Sequence, residues 1–345
     1  KKYNLSMEQR KEVRLIDIAK KLGISTVTVS KALSNKEGVG DDLRIKIKQL
    51  AEEMGYKVKS TNLPNTKNGT LTGNIGILIP NKFFSQGMSF YWYVFNNVST
   101  ELLKKNYYSV LELLSDEDEK NLTLPRMIQD SKVDGLIILG QISPEYIESL
   151  NSRYENFILL DFYNQSNYDC VANDDYYCSY LLTNYVISQG HKKLRFVGNI
   201  NATSSICDRF MGFQKAMIEN NLCSDFSQAI SDRNEKGKTI PIELPLADMP
   251  TAFICNNDDT AAMVIEKLNA NGYKVPEDIS VTGFDNFSTN NSLKVPLTTV
   301  WINPEDTAKS ATDLLIKKLN GETYIKGRHI VGGTVIIRDS VKKID

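Results

Sequence analysis

Residues 74–345 alternate between short apolar runs and longer amphipathic segments, and this alternation restricts the possible folds more than any other feature. Continuous apolar runs predict strands that are buried on both faces, as they are in parallel sheets. The longer segments carry apolar residues at helical spacing and predict helices that cover both faces of each sheet. The expected fold class is therefore α/β, with doubly wound parallel sheets. Strands are predicted at 75–79, 109–113, 135–139, 157–160, 194–197, 251–255 and 280–283.

The alternation occurs twice, once from Asn74 and again from about Lys193, which predicts two lobes of similar architecture. Ligands bind such sheets at the carboxyl ends of the strands. A cleft between the lobes is therefore the expected ligand site. Helices are predicted at 91–105, 176–189, 208–220 and 259–271.

Residues 13–58 have a different pattern, which predicts an all-α head of three short helices. The first helix ends at Gly23, and the second begins at Ser25, a residue type suited to an N-cap. The third covers 41–54 and precedes Gly55, at a C-cap position. Small hydroxylated residues at the start of the second helix predict a helix-turn-helix, with that start in the major groove of DNA.

The formal charge is unevenly distributed along the chain. Residues 1–60 contain 14 Lys and Arg against 8 Asp and Glu, a net charge of +6, whereas the remainder contains 27 against 34, a net charge of −7. A basic head on an acidic body is typical of a nucleic-acid-binding module joined to a second domain. Residues 1–12 are interpreted as an N-terminal extension. Residues 59–73, rich in Asn, Thr, Lys and Gly, predict a linker or hinge.

The head resembles that of the LacI/GalR (lactose-repressor) family of transcription regulators. The resemblance is carried by IDIAKKLGIS at 16–25, TVSKAL at 28–33 and GY at 55–56. It implies that Thr26 and Val27 read bases and that Lys31 replaces an arginine that reaches a base. The phosphate-contacting positions that it implies are Ser25, Thr28 and Ser30.

One segment departs from the family pattern. The family follows the third helix with a short hinge helix, whose leucine enters the minor groove of the operator. Residues 60–67 lack that motif, and although they include Leu63, the next residue, Pro64, can only begin a helix. Two alternatives stay open here: a hinge helix, or a longer flexible linker that weakens the coupling between ligand and DNA.

The body is predicted as an effector-binding domain over residues 74–345. From Gly73 to about Arg338 it resembles the effector-binding domain of the same family, which is similar to periplasmic sugar-binding proteins. The motifs include IGILIP at 75–80, GHKKLRFVG at 190–198 and VPEDISVTGFD at 275–285. The resemblance implies a sugar effector, and the lack of a glycine-rich phosphate motif favours an unphosphorylated one. It also implies three crossovers between an N-lobe of 74–163 and 302–328 and a C-lobe of 164–301 and 329–345.

Seven residues of the body match effector contacts of that family. A guanidinium or a carboxylate can hold two adjacent hydroxyls, and an aromatic ring can cover the apolar face of a sugar. Structural roles remain open for Asp161 and Asn257, and helix packing remains open for Phe90 and Tyr91. Asp258 and Asp285 are also candidates for capping the adjoining helix or turn. The seven residues are Phe90, Tyr91, Asp161, Ser205, Arg209, Asn257 and Asp285.

Catalytic and metal-binding patterns do not emerge from the sequence. It contains two histidines and neither a G-x-S-x-G nor an H-E-x-x-H motif, so we expect no enzyme activity, metal or cofactor. The five scattered cysteines predict buried reduced thiols. No apolar run reaches membrane-spanning length, and no apolar stretch follows the first residues, so a cytoplasmic location is expected.

The sequence therefore predicts a DNA-binding transcription repressor that is controlled by a small-molecule effector. Its expected partners are a double-stranded DNA operator, a sugar and a second copy of the chain in a homodimer. Two alternatives without a DNA role are a sugar-binding protein of the transport type and a carbohydrate-processing enzyme, both of which leave the helix-turn-helix unexplained.

Overall fold

The computed structural model divides the chain into two compact units, the helical head and a body that begins at Leu71. The predicted extension at 1–12, Gly55 and most of the linker at 59–73 lie outside the described residues. The structure describes residues 13–33, 38–54, 71–84, 90–222, 225, 229–234, 237–287 and 294–345.

The head contains the three predicted helices, α1 (Leu15–Leu22), α2 (Thr26–Leu33) and α3 (Asp41–Glu53). Gly23 ends α1 in the left-handed conformation, with a φ of 65°, and its N–H closes the last turn. The apolar face of each helix contributes to one small core, as the spacing predicts. The fully or almost fully buried members of this core are Ile18, Ala19, Val29, Ala32, Ile47 and Ala51.

The first sheet of the body contains six parallel strands in the order β11-β5-β4-β3-β1-β2. Its central strands pair with a neighbour on both edges and are covered on both faces. They are therefore buried, which agrees with their uninterrupted apolar sequences. The strands are β1 (Asn74–Pro80), β2 (Tyr108–Leu114), β3 (Gly135–Leu139), β4 (Phe157–Leu160), β5 (Cys170–Asn173) and β11 (Arg328–Val331).

The second sheet contains four parallel strands in the order β7-β6-β8-β9. A separate antiparallel pair, β10 (Thr299–Ile302) and β12 (Gly333–Ile336), joins the segments that run between the two sheets. The predicted α/β class with a helical head is therefore confirmed. The strands of the second sheet are β6 (Leu194–Val197), β7 (Ala229–Ile230), β8 (Ala252–Cys255) and β9 (Ser280–Thr282).

Two lobe boundaries differ from those expected. The N-lobe was expected to end at residues 163 and 328, but β5 and β11 pair with each other and β5 pairs with β4, so both belong to the first sheet. The boundaries implied by the resemblance are therefore wrong at these two strands. The apolar pattern did not reveal β5, because its residues, Cys-Val-Ala-Asn, lack the run of large apolar side chains found in β4. Hereafter, the N-lobe is the part built on the first sheet and the C-lobe the part built on the second.

Helices cover the sheets of both lobes. The helix α9 begins at Ser204, four residues before the predicted start, because the Thr203 hydroxyl accepts the N–H of Ile206 and caps it. A Cβ at Gly212 would lie 2.1 Å from the carbonyl oxygen of Tyr176, so this glycine allows α8 and α9 to approach closely. The helices of the body are α4 (Phe90–Lys104), α5 (Asp116–Lys120), α6 (Arg126–Gln129), α7 (Pro144–Asn151), α8 (Asp175–Ser188), α9 (Ser204–Glu219), α10 (Asp258–Ala270) and α11 (Pro304–Asn320).

The cysteines follow the prediction in part. Cys170, Cys178 and Cys255 are buried free thiols, but Cys207 is exposed on α9, so the expectation of burial is wrong there. The fifth, Cys223, lies outside the described residues. Within the part of the chain that the structure describes, no helix combines the length and apolar character needed to cross a membrane.

Candidate functional site

The start of α2 is held by a side-chain cap. The Ser25 hydroxyl accepts the N–H of Thr28 at 3.0 Å and pairs with the Thr28 hydroxyl at 2.9 Å. This cap satisfies one of the free donors of the helix terminus and fixes the direction of the helix. The Ser25 hydroxyl therefore has a structural role in addition to the phosphate contact that the resemblance implies.

The predicted DNA-contacting residues form one largely solvent-facing side of α2. Thr26, Val27 and Lys31 are exposed, with Val27 at 62%, while Ser30 is half-buried. The opposite side of the helix is buried in the head core. An exposed helix start with hydroxyls, one aliphatic side chain and one cation has the composition that major-groove recognition requires.

The body contains a cavity of about 110 Å³ where the carboxyl ends of strands from both lobes meet. Asp161 follows β4, Asn173 ends β5, and Asp285 follows β9. These three polar side chains line the cavity because parallel strands place their carboxyl ends at one edge of a sheet. Much of the remaining wall is aromatic and consists of Phe90, Tyr93, Phe287 and Trp301.

Arg209 does not line the cavity; it organises the carboxylates of the C-lobe side. The residue is 5% exposed, and its guanidinium donates to Asp175 at 2.6 Å, to Asp285 at 3.0 Å and to the carbonyl oxygen of Asn256. The guanidinium carbon also lies 3.8 Å from the centroid of the Phe284 ring. Since each of its three nitrogens donates within the protein, Arg209 orients Asp285 towards the cavity.

Asp161 is the N-lobe counterpart of Asp285 but has different partners. It is 8% exposed, accepts the Tyr91 hydroxyl at 3.2 Å and accepts the Asn173 amide at 2.9 Å. Both donors are neutral. Asp161 takes part in none of the ion pairs that the structure shows within the described part of the body.

Burial shifts the protonation of this group of carboxylates. It raises the pKa of Asp161 to about 8, and the nearby charge of Asp175 adds to the shift. Burial raises the pKa of Asp175 to about 6 and also raises that of Asp285, although Arg209 opposes both shifts. At neutral pH the Asp161 carboxyl is therefore largely protonated, while Asp175 is largely ionised.

The backbone at the two cavity carboxylates is left-handed. The φ angles are 68° at Asp161, 89° at Asp285 and 49° at Asn286. This conformation costs free energy for most side chains, and Asp and Asn tolerate it better than other non-glycine residues. Such positions are common at binding sites, where the surrounding structure enforces them.

The structure separates the seven predicted effector residues into three groups. Phe90, Asp161 and Asp285 line the cavity, and Tyr91 and Arg209 hold the two carboxylates. The remaining two are placed elsewhere: the Ser205 hydroxyl pairs with Thr203 at 2.9 Å, and Asn257 accepts the N–H of Thr260 and caps α10. Neither is among the residues that line the cavity.

Asn257, rather than Asp258, thus caps α10. Asp258 is buried and accepts the Thr299 hydroxyl at 2.6 Å, and burial raises its pKa to about 8. The rings of Trp92 and Phe95 on α4 stack on each other with centroids 5.3 Å apart.

Several residues of the cavity are missed by sequence reasoning. Asn173 ends a strand that was not predicted, and Trp301 lies on the antiparallel pair, where no sequence motif indicated a site. Tyr93 and Phe287 come from different lobes and stack with centroids 5.4 Å apart. The aromatic residues between 81 and 93 were a signal for this wall, and they pointed to Phe90, which lines the cavity.

The lobes also contact each other beside the cavity. The Tyr163 hydroxyl donates to Asp208 on α9 at 2.7 Å, and the Arg328 guanidinium lies 3.5 Å from the same carboxylate. Nearby, the side-chain oxygen of Gln141 accepts the N–H of Ser204, at the start of α9, at 2.7 Å. The two lobes are therefore held together by polar contacts that a hinge motion would break.

No group of metal-ligating side chains occurs among the described residues. His191 is buried, and its ring nitrogens lie 2.9 Å from the Thr251 hydroxyl and 2.9 Å from the carbonyl oxygen of Lys342. This histidine therefore holds the backbone at Lys342 against the C-lobe.

Comparison with known proteins gives two family models and many relatives. A model of bacterial regulatory proteins of the lacI family matches residues 14–58, and a model of a periplasmic binding protein-like domain matches 183–341. The chain is 25% identical, over 95% of its length and 98% of the relative's, to the HTH-type transcriptional repressor PurR of Vibrio campbellii.

Solved structures show the same fold. The complex of the transcriptional regulator CelR with cellobiose superposes with a TM-score of 0.67 at 19% identity, covering 95% of this chain and all of the other. The Lac repressor dimer bound to operator and an anti-inducer gives a TM-score of 0.66 at 18% identity and covers 96% of this chain and all of the other.

Proposed function

The chain belongs to the lacI family of bacterial regulatory proteins, and from this we propose that it is a DNA-binding transcription repressor controlled by a small-molecule effector. The observation that carries the proposal is the exposed start of α2 in a compact basic head, joined to a body with a cavity between two lobes. The head binds operator DNA through Thr26, Val27 and Lys31. The body supplies the response to the effector.

The effector is a sugar bound between the lobes. Asp161 and Asp285 face the cavity from opposite lobes, and each can accept hydroxyl donors. The Phe90 and Phe287 rings, whose centroids are 6.1 Å apart, offer apolar faces for the C–H side of a sugar ring. Arg209 and Tyr91 act by positioning the two carboxylates.

Binding at the cavity changes the relation between the lobes, because its lining residues come from both. Ligand contacts add to, or replace, the contacts of Asp208 with Tyr163 and Arg328. In a homodimer, a shift of the N-lobes changes the spacing of the two heads and hence the affinity for a two-fold symmetric operator. The effector and the operator are thus coupled through a single conformational equilibrium.

The protein is further proposed to act in the cytoplasm, where its operator is located, and to bind its sugar without chemical change. Recovery of unaltered sugar after prolonged incubation with the protein would agree with a binding role. Release of a sugar fragment would instead support the carbohydrate-processing alternative.

The DNA-binding proposal is tested with Lys31→Ala. An operator is first selected from random duplexes, and its affinity is measured by fluorescence anisotropy at 50 and 200 mM salt. We expect specific binding whose affinity falls steeply with salt, by about 10³-fold or more if six or more phosphates are contacted. Lys31→Ala should weaken operator binding by about tenfold, or about 1.4 kcal/mol, which lies within the range of about 1–3 kcal/mol for a base contact.

The matched control is Lys309→Ala, which removes an exposed lysine from α11 of the body and leaves the head intact. The control should bind the operator as the unmodified chain does. Equal affinity of Lys31→Ala and the control would remove Lys31 from the interface. Failure to select any sequence from the random duplexes would overturn the DNA-binding role itself.

A further inference from the structure

The Asp161 carboxyl stands out among the acidic groups around the cavity. Asp175 and Asp285 are both paired with Arg209, and Asp232, deeper in the C-lobe, is paired with Arg233. Asp161 instead accepts hydrogen bonds only from the neutral donors Tyr91 and Asn173 among the described residues. A buried carboxyl without a cationic partner is costly in its ionised form.

The wall around this carboxyl is formed by a connected set of rings. The Tyr91 ring, whose hydroxyl contacts Asp161, meets Phe90 at a centroid distance of 5.6 Å. Phe90 in turn contacts Phe287, and Phe287 stacks on Tyr93 with an interplanar angle of 17°. Trp301 completes the aromatic lining. Aromatic faces attract cations, and their effect is largest where water is excluded.

The cavity lining contains two carboxylates and no basic side chain among its described residues. The adjoining sequences at 85–89 and 288–293 also contain no Lys, Arg, Asp or Glu. Arg209 is already engaged by Asp175 and Asp285. The binding site therefore offers more negative than positive charge to its occupant, and it surrounds that charge with ring faces.

We propose that the occupant of this cavity is an amino sugar, whose protonated amino group pairs with the Asp161 carboxylate among the rings of Phe90 and Phe287. The inference rests on the proposed effector role of the cleft and specifies the ligand class. A hydroxyl at the same place would leave the Asp161 carboxyl in its protonated form. An ammonium group supplies the missing cationic partner and makes charge-assisted hydrogen bonds, which are stronger than neutral ones.

The proposal has a measurable consequence in proton exchange. In the free protein Asp161 is protonated at pH 7, because its pKa is raised to about 8 by burial and by Asp175, with Arg209 opposing and Asp285 adding to the shift. Pairing with an ammonium group stabilises the ionised carboxylate, so binding releases a proton. Below pH 8 the affinity for the amine should therefore fall as the pH is lowered, approaching about tenfold per pH unit.

The test uses the full chain and a panel of matched sugars. Free aminohexoses with the amino group at carbon 2, 3 or 6 are compared with their N-acetyl derivatives and with the parent hexoses. Thermal unfolding identifies binders, since a ligand of the folded state raises the melting temperature. We expect at least one free aminohexose to bind about tenfold or more tightly than both of its neutral counterparts, as a charged pair predicts.

Calorimetric titration of that aminohexose at pH 7 in phosphate and in Tris counts the protons exchanged. We expect a net release of roughly half to one proton per ligand. Asp161→Asn should lower the affinity for the amine by about tenfold or more and abolish the release. Asn also tolerates the left-handed backbone at this position, which makes the variant a conservative one. The control is Asp339→Asn, which removes one exposed carboxylate and should change neither quantity.

Tighter binding of parent or N-acetyl sugars, no binding by any aminohexose, or binding of the amine without proton release would overturn the proposal. Anisotropy with the selected operator is measured in the same preparations. If operator binding is intact and responds to a neutral sugar, the amino-sugar inference alone fails. If no operator is bound, the proposed function fails as well.

Discussion

Replacing Arg209 with Met tests whether one buried cation holds the C-lobe side of the cavity together. The substitution keeps much of the side-chain volume but removes the donors to Asp175, Asp285 and the Asn256 carbonyl group. The two carboxylates, both nearly inaccessible to water, then lose their cationic partner. We expect a loss of about 3–5 kcal/mol in the free energy of unfolding at neutral pH, the usual cost of breaking a buried ion pair.

The loss should depend on pH in a definite direction. Without Arg209, the pKa values of Asp175 and Asp285 rise further above their unfolded values, since burial already raises both. A raised pKa in the folded state means that folding favours the protonated acid. The penalty is therefore small below about pH 4, near the unfolded pKa, and grows until the pH exceeds the folded pKa values. The deficit at pH 5 should be smaller than the deficit at pH 8.

Urea unfolding of the unmodified chain and the variant at pH 5, 7 and 8, followed by fluorescence and circular dichroism, measures these differences. The matched comparison is Arg209→Met with Asp175→Asn and Asp285→Asn, which removes the whole charged group. Because a fully neutralised cluster leaves no unpaired charge, it should recover most of the lost stability. A loss below about 1 kcal/mol, or a triple variant no more stable than the single one, would refute the reasoning.

Three further changes, in other parts of the structure, can be tested in the same way as Arg209→Met; the first, Ser25→Ala, removes the cap of α2 and should lower the stability of the head by about 1 kcal/mol. Thermal unfolding of the full chain, together with hydrogen exchange of the backbone amides in the head, measures this loss. Unchanged exchange rates in α2 would contradict the role of the cap. Gly212→Ala places a methyl group against the Tyr176 carbonyl oxygen and should cost about 1–3 kcal/mol in chemical unfolding. Gly332→Ala, which has open space around the added methyl group, serves as the control. Burial lowers the pKa of His191 below its usual 6.5, so the unfolded chain binds the proton more readily and stability should fall as the pH is lowered below 6.5. His191→Gln should flatten that dependence, and an unchanged pH profile would count against it.

The sequence predicted the architecture because strands that are buried on both faces consist of uninterrupted apolar residues, and such runs can be recognised in the sequence. Strands such as β3 and β8 are uninterrupted apolar runs in the chain and completely buried in the structure. Strand β5 was not predicted because its residues, Cys-Val-Ala-Asn, form no run of large apolar side chains, although it is as long as β8. Short or half-exposed strands such as β11 and β12 have no comparable signal.

The site was predictable where a motif places a polar residue directly after a strand. Asp161 and Asp285 were found in this way, and both line the cavity. Sequence position did not distinguish Asn257, whose side chain caps α10, from a residue that lines the cavity. Nor did it show that Arg209 gives its hydrogen bonds to protein acceptors, or that Phe287 and Tyr93 meet across the lobes, because these contacts depend on tertiary packing alone.

The left-handed backbone at Asp161 and Asp285 limits how the ligand preference of the proposed effector site can be altered, in nature or by engineering. Aspartate, asparagine and glycine adopt these φ angles at the lowest cost. Substitutions among these three residue types add or remove a negative charge but do not enlarge the side chain. Adjustment to a larger or differently shaped ligand must instead come from the opposing rings, above all Phe90 and Trp301. Charge preference and size preference are thus encoded at separate positions, and the two can change independently.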